Sequence, residues 1–145
     1  MQHTAHTFGK QERLCSRKAI DRLYSEGHRL MAFPFSVQWM AVEPGSLPEG
    51  TRCQVMIVAP KRKLHHAVDR NRLRRLAREC YRQRKPVLYD YLERRGLCIV
   101  FSMVYVHHEL PDYGHLGRKM DKLLASLQAD IERSLPPATS PDPAS

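Results

Sequence analysis

The spacing of apolar residues changes period several times along this 145-residue chain. Ile20, Leu23 and Tyr24 fall at i, i+3 and i+4, behind Ser16, a good N-cap, and ahead of Gly27. That spacing predicts a first helix of about ten residues. From Phe33 to Val42 the period becomes two. Phe35, Val37, Trp39 and Ala41 lie on one side, and Ser36, Gln38 and Met40 on the other, as in a half-buried strand. Pro44-Gly45 and Pro48-Glu49-Gly50 mark a loop. A second strand follows over Arg52 to Ala59, with Cys53, Val55 and Ile57 on one face, and Pro60 ends it.

The basic loop Lys61-Arg62-Lys63 leads into a helix predicted from His66 to Arg84. Leu73, Leu76, Ala77 and Cys80 share one arc of its wheel, and Arg70, Asn71, Arg74, Arg75, Arg78 and Arg82 lie largely opposite. Pro86 disfavours helix at Lys85, so a break is expected there. Val87, Leu88, Tyr91 and Leu92 then suggest a short second segment before Gly96. Leu97 to Val106, the most apolar run, reads as a central strand buried on both faces. Leu116, Met120, Leu123, Leu124, Leu127 and Ile131 mark a last amphipathic helix. Residues 1–12 are polar and unpatterned, a mobile arm with Phe8 as its anchor. Residues 136–145 (PPATSPDPAS) read as a disordered tail, leaving 13–135 as one domain. The order α-β-β-α-β-α predicts an α/β sandwich, with helices against one mixed sheet.

Composition adds little to this picture, with 42% hydrophobic and 27% charged residues. No apolar run approaches the roughly 20 residues needed to span a bilayer. The first residues lack the apolar segment of a secretory signal, so the expected location is cytoplasmic. Charge changes the picture more. The formal net charge is +9, and residues 61–85 hold all of it, with eleven Lys/Arg against Asp69 and Glu79. Such a density attracts a polyanion, and phosphate backbones are the commonest in a cell.

Arg70, Arg74, Arg78 and Arg82 advance by one helical turn each, with Asn71 and Arg75 beside them. A guanidinium fork donates two parallel hydrogen bonds to phosphate. The Asn71 amide can donate to and accept from a base edge or a 2′-hydroxyl. An ordinary solvated face mixes signs at i, i+4. Stacked like charges instead weaken the isolated helix, and a bound polyanion relieves them.

Conventional catalytic groupings are missing. Cys15, Cys53, Cys80 and Cys98 form no CxxC pair and read as reduced thiols, ahead of a disulfide or a metal site. His3/His6, His65-His66 and His107-His108 lack the i, i+4 spacing of helical metal ligands. The carboxylates are scattered, with no pair suited to acid–base or two-metal work. No catalytic residue and no metal site are expected in the chain itself.

Lys61-Arg62-Lys63, then Ala67-Val68-Asp69-Arg70-Asn71-Arg72-Leu73-Arg74-Arg75-Leu76, then Arg78-Glu79 and Tyr81-Arg82 resemble the signature of the bacterial ribonuclease P protein family. Arg13-Leu14 and Gly27 fit its opening, and the resemblance spans about residues 12 to 132. It implies a fold like the second domain of ribosomal protein S5, with a left-handed βαβ crossover, where a free derivation would choose a right-handed one. It also implies a division of labour. An RNA subunit hydrolyses precursor tRNA at the 5′ end of the mature tRNA, with Mg²⁺ bound mainly by that RNA and the substrate. The protein binds the RNA subunit and the 5′ leader.

By position, Lys61, Arg62, Lys63, Arg70, Asn71, Arg72, Arg74, Arg75, Arg78 and Arg82 become the contact surface for the catalytic RNA. Ile20, Tyr24 and Gln38 fall in the leader cleft, where the family usually has two phenylalanines and a tyrosine. Ile20 cannot stack on a base, and Gln38 replaces stacking with hydrogen bonding. The loop from Lys61 to His66 is one residue longer than the family pattern and lacks its glycine. Tyr24 also shares a face with Leu23, so core and cleft readings stand level for it, whereas Trp39 reads as core. No membrane and no obligatory protein partner are expected. A stand-alone RNA-binding module, such as a ribosomal protein or RNA chaperone, is the alternative, and a self-sufficient metal nuclease the third reading.

Overall fold

Residues 8–135 are described in a computed structural model of the chain. The expected tail over 136–145, and residues 1–7 of the expected arm, lie outside the described residues. Helix α1 (Arg17–Glu26) starts where expected, because the Ser16 hydroxyl accepts from the Ala19 N–H at 3.2 Å. It ends at Gly27, whose N–H reaches the Leu23 carbonyl at 2.8 Å. A Cβ at Gly27 would lie 2.4 Å from that carbonyl oxygen, so only glycine fits the exit into the sheet.

Strands β1 (His28–Ala32), β2 (Phe35–Val42) and β3 (Cys53–Val58) follow, then helix α2 (Ala67–Arg95), strand β4 (Cys98–Tyr105) and helix α3 (Tyr113–Ser134). The sheet order is β1-β2-β4-β3. β1/β2 and β2/β4 are antiparallel, and β3/β4 parallel, so α2 is the crossover of a βαβ unit in a mixed sheet. β4 is central and almost wholly buried, as its sequence predicts.

Two helices cover one face and one covers the other. Phe35, Val37, Trp39, Val55, Phe101 and Met103 pack beneath Leu73, Ala77, Tyr81 and Leu88 of α2 and Leu116, Met120, Leu123 and Leu127 of α3. On the opposite face Leu14 and Leu23 cover Met40 and Val100, so β2, expected to be half-buried, is buried on both faces at Gln38, Trp39 and Met40 because α1 closes over its second side. Trp39 is fully buried, and its Nε1–H donates to Asp130 Oδ2 at 2.8 Å, so the indole is core with a satisfied polar end.

Three further expectations are corrected. β1 is a strand that the sequence pattern did not announce; it is an edge strand whose residues are mostly exposed, so no alternation marks it. α2 does not break at Pro86 but runs as one helix through it. Proline removes one helical hydrogen bond, and burial of Lys85, Leu88, Tyr89 and Leu92 around it holds the helix together. Residues 8–12, expected in the mobile arm, are packed. Phe8 sits edge-on to Tyr81 at 5.4 Å, and Glu12 pairs with Lys85 at 2.7 Å.

The thiols make the first prediction. Cys15 is exposed, while Cys53, Cys80 and Cys98 are buried free thiols, and burial pushes the pKa of each of those three upward, so they hold their protons more tightly. A thiol reagent should label one cysteine per native molecule and all four after unfolding in denaturant. Rapid native labelling of Cys53 would contradict the packing of β3 under α2.

Candidate RNA-binding surface

The first half of α2 holds most of the predicted contact residues, and its helix geometry separates them into two groups. Leu73, Ala77 and Cys80 point into the core, and Leu76 is half-buried. Arg72 and Arg75 are exposed, and Arg74 and Arg78 half-exposed. Arg74 Nη2 donates to Asn71 Oδ1 at 2.5 Å, which links these two side chains on the surface. The Arg78 guanidinium holds its proton less tightly than usual, because it is partly desolvated and the charges of Arg13 and Arg74 stand nearby.

The other group is occupied within the fold. Arg70 Nη1 donates to the carbonyls of Leu64 and His65 at 2.9 and 3.0 Å, which fastens the Lys61–His66 loop to the start of the helix. This clamp, with Leu64 buried beneath it, orders a loop that has no glycine. Arg82 Nε donates to Glu79 at 3.0 Å, and that hydrogen bond is the main cause holding the Glu79 carboxyl below its usual range. Arg84 pairs with Asp121 at 2.6 Å, and Lys85 is buried against Glu12. Among the described residues, Lys61, Arg62, Lys63, Arg72, Arg74, Arg75 and Arg78 have no carboxylate partner. They leave a strongly positive strip along α2 and its preceding loop.

The predicted cleft residues are less alike. Tyr24 is 40% exposed on the outer side of α1, so it is not core. Ile20 is half-buried and packs with the small cluster of Leu14, Leu23, Met40 and Val100. Gln38 is buried, and its Nε2 donates to the Leu23 carbonyl at 3.4 Å in the last turn of α1. One hydrogen of the Gln38 amide nitrogen thus helps to seat the helix. Beside it in register, the Ser102 hydroxyl is buried with no hydrogen-bond partner among the described residues.

One cation reaches this surface from outside the basic segment. Arg13 bridges Val55 at the free edge of β3, and its guanidinium lies 5.7 Å from the centre of the Phe8 ring. In sequence it is marked only by the family resemblance of Arg13-Leu14, which assigned it no RNA contact. Among the described residues no group of three or more His, Cys, Asp or Glu is arranged to hold a metal ion. None of the described helices is long and apolar enough to cross a membrane.

The chain is similar to known proteins over nearly all of its length. It is 32% identical over 130 residues to the ribonuclease P protein component of Porphyromonas gingivalis, covering 88% of this chain and 93% of that one. A shorter match, 35% over 72 residues, joins it to the ribonuclease P protein component of Chlorobaculum tepidum. In fold it resembles the RNase P protein of Staphylococcus aureus, with a TM-score of 0.61, 16% identity, and coverage of 80% of this chain and 94% of that one. Residues 8–128 match the ribonuclease P family model, and the chain belongs to the ribonuclease P protein family.

Proposed function

We propose that this chain is the protein subunit of ribonuclease P, and that it binds the catalytic RNA through α2 and the loop before it. The observation that supports this most is the strip of Arg72, Arg74, Arg75 and Arg78, unpaired by carboxylates among the described residues, on a helix whose opposite face is core. Bond cleavage is assigned to the RNA subunit. Mg²⁺ is bound mainly by that RNA and the precursor, and no step is routed through a metal on this chain. The protein's part is electrostatic: it lowers phosphate repulsion where RNA subunit and precursor meet. Precursor tRNA is the second partner, and the cytoplasm, where tRNA is matured, the location.

The test is a processing assay with precursor tRNA, using protein alone, RNA subunit alone and both. Both together should release the leader at Mg²⁺ concentrations where RNA alone is slow, and protein alone should release none. Leader release by RNA-free protein would move the catalytic centre into this chain. A variant of the Staphylococcus aureus protein is described as defective in mRNA degradation activity, so an unstructured mRNA belongs in the protein-alone arm. Its degradation would reveal an additional activity of this chain.

The exposure of Tyr24 supports placing it in the leader cleft rather than the core. Tyr24→Ala should weaken precursor binding by the holoenzyme by about 1–3 kcal/mol, the range for one lost base stack, with mature tRNA binding unchanged. Equal loss for both ligands would remove Tyr24 from the cleft.

A further inference from the structure

Arg13 is held at the α2 surface by contacts on both sides of it. Before it, Glu12 pairs with buried Lys85 and accepts from the Tyr89 hydroxyl at 3.1 Å. After it, the Leu14 N–H reaches the Val55 carbonyl at 3.0 Å, and Leu14 is buried under α1. Gln54 Nε2 donates to the Gln11 carbonyl at 2.8 Å and fixes the same segment to β3. The backbone at Arg13 is therefore fixed to the sheet edge, and its side chain projects over the Phe8 ring toward Arg78.

That placement makes a concave, cationic site. Phe8, Arg13, Arg75, Arg78, Glu79 and Arg82 line a hollow of about 210 Å³. Glu79 is already clamped by Arg82 and Gln83, so it cannot neutralise the three other guanidiniums. A second hollow, of about 250 Å³, opens on the other side of Arg13 and Arg78 toward Cys15 and Ile57. The two arginines thus form a saddle between the α2 strip and the sheet edge beside α1. Arg13 is close enough for its charge to weaken proton binding by Arg78. Like charges brought together on a wet surface are stabilised by an anion lodged between them, and two planar forks suit the oxygens of one phosphodiester. The Phe8 ring, 5.7 Å from Arg13, offers an apolar wall for the attached sugar or base.

We infer that Arg78 of the basic segment 61–85, joined from outside that segment by Arg13 and with Phe8 as one wall, forms a binding site for an RNA phosphodiester of the RNA subunit. This rests on the proposal that the catalytic RNA lies along α2. The full-length protein would be titrated with the RNA subunit over a series of KCl concentrations, comparing Arg13→Gln, Arg13→Lys and Arg74→Ala with the parent. Thermal unfolding, followed by the fluorescence of Trp39, the one tryptophan, checks that each variant is folded. Arg13→Gln should lower affinity roughly tenfold and flatten the salt slope by about one unit, the size of one lost phosphate contact. Arg13→Lys should keep the slope but lose part of the affinity, since an ammonium keeps the charge without the fork.

An unchanged slope for Arg13→Gln beside a flattened one for Arg74→Ala overturns the site and leaves the α2 proposal intact. Unchanged slopes for both remove the α2 proposal, and this site with it. If Arg13→Gln weakens only precursor binding by the preformed holoenzyme, the phosphodiester belongs to the substrate, and the assignment to the RNA subunit falls.

Discussion

Replacing Glu12 with alanine is expected to destabilise the protein by about 3–5 kcal/mol, the range for stranding one partner of a buried ion pair. Lys85 is 1% exposed, and Glu12 supplies the carboxylate against its ammonium at 2.7 Å. The Tyr89 hydroxyl donates to the same carboxylate and lies 3.3 Å from the Cys53 carbonyl, so one acidic side chain ties α2, β3 and the N-terminal segment together. Burial, then the neighbouring Cys53 and Glu12, raise the affinity of that hydroxyl for its proton, which keeps it a donor. Without Glu12 the ammonium must stay buried without its carboxylate, or α2 must shift to bring it to water. The double replacement Glu12→Leu with Lys85→Met removes both charges together and should cost far less than Glu12→Ala. Urea unfolding followed by Trp39 fluorescence measures both. A loss under about 1 kcal/mol for Glu12→Ala would mean that water reaches Lys85 and that the pair behaves as a surface one.

The same pair shows where sequence reading stops. Period-two and period-3.6 patterns found β2, β3, β4, α1 and α3, because each of these buries at least one regular face, and β4 and the middle of β2 bury both. The basic strip was legible for a similar reason: the side of α2 left outside the core is written as arginine at helical spacing. What pattern cannot show is a partner distant in sequence. Lys85 reads as one more surface cation until Glu12, 73 residues away, is placed beside it. Arg70 reads simply as an RNA ligand, and only the fold shows that its Nη1 also donates to the carbonyls of Leu64 and His65. Pro86 reads as a helix end because the local rule is sound, and tertiary burial on both sides overrides it. Arg13 fails in the opposite direction, since it gains its setting only when the β3 edge and α2 converge on it.

The largest binding effect is expected from Arg72→Ala, Arg74→Ala and Arg75→Ala combined. None of the three guanidiniums has a carboxylate partner among the described residues, and none belongs to the core. Alanine has the highest helix propensity, and the change relieves repulsion along the helix, so the melting temperature should hold or rise slightly. Binding to the RNA subunit should weaken by at least about a hundredfold at moderate salt, with the salt slope flatter by about two to three units. Leu73→Ala is the control, because Leu73 is fully buried beneath the same turn. It should cost about 2–5 kcal/mol of stability through the cavity it leaves, while the folded fraction keeps the parent's salt slope. Charge and fold then separate cleanly: three arginines carry affinity without stability, and one leucine carries stability without slope. If the triple variant unfolds while its salt slope is preserved, the arginines serve the fold, and the RNA must be held by another face.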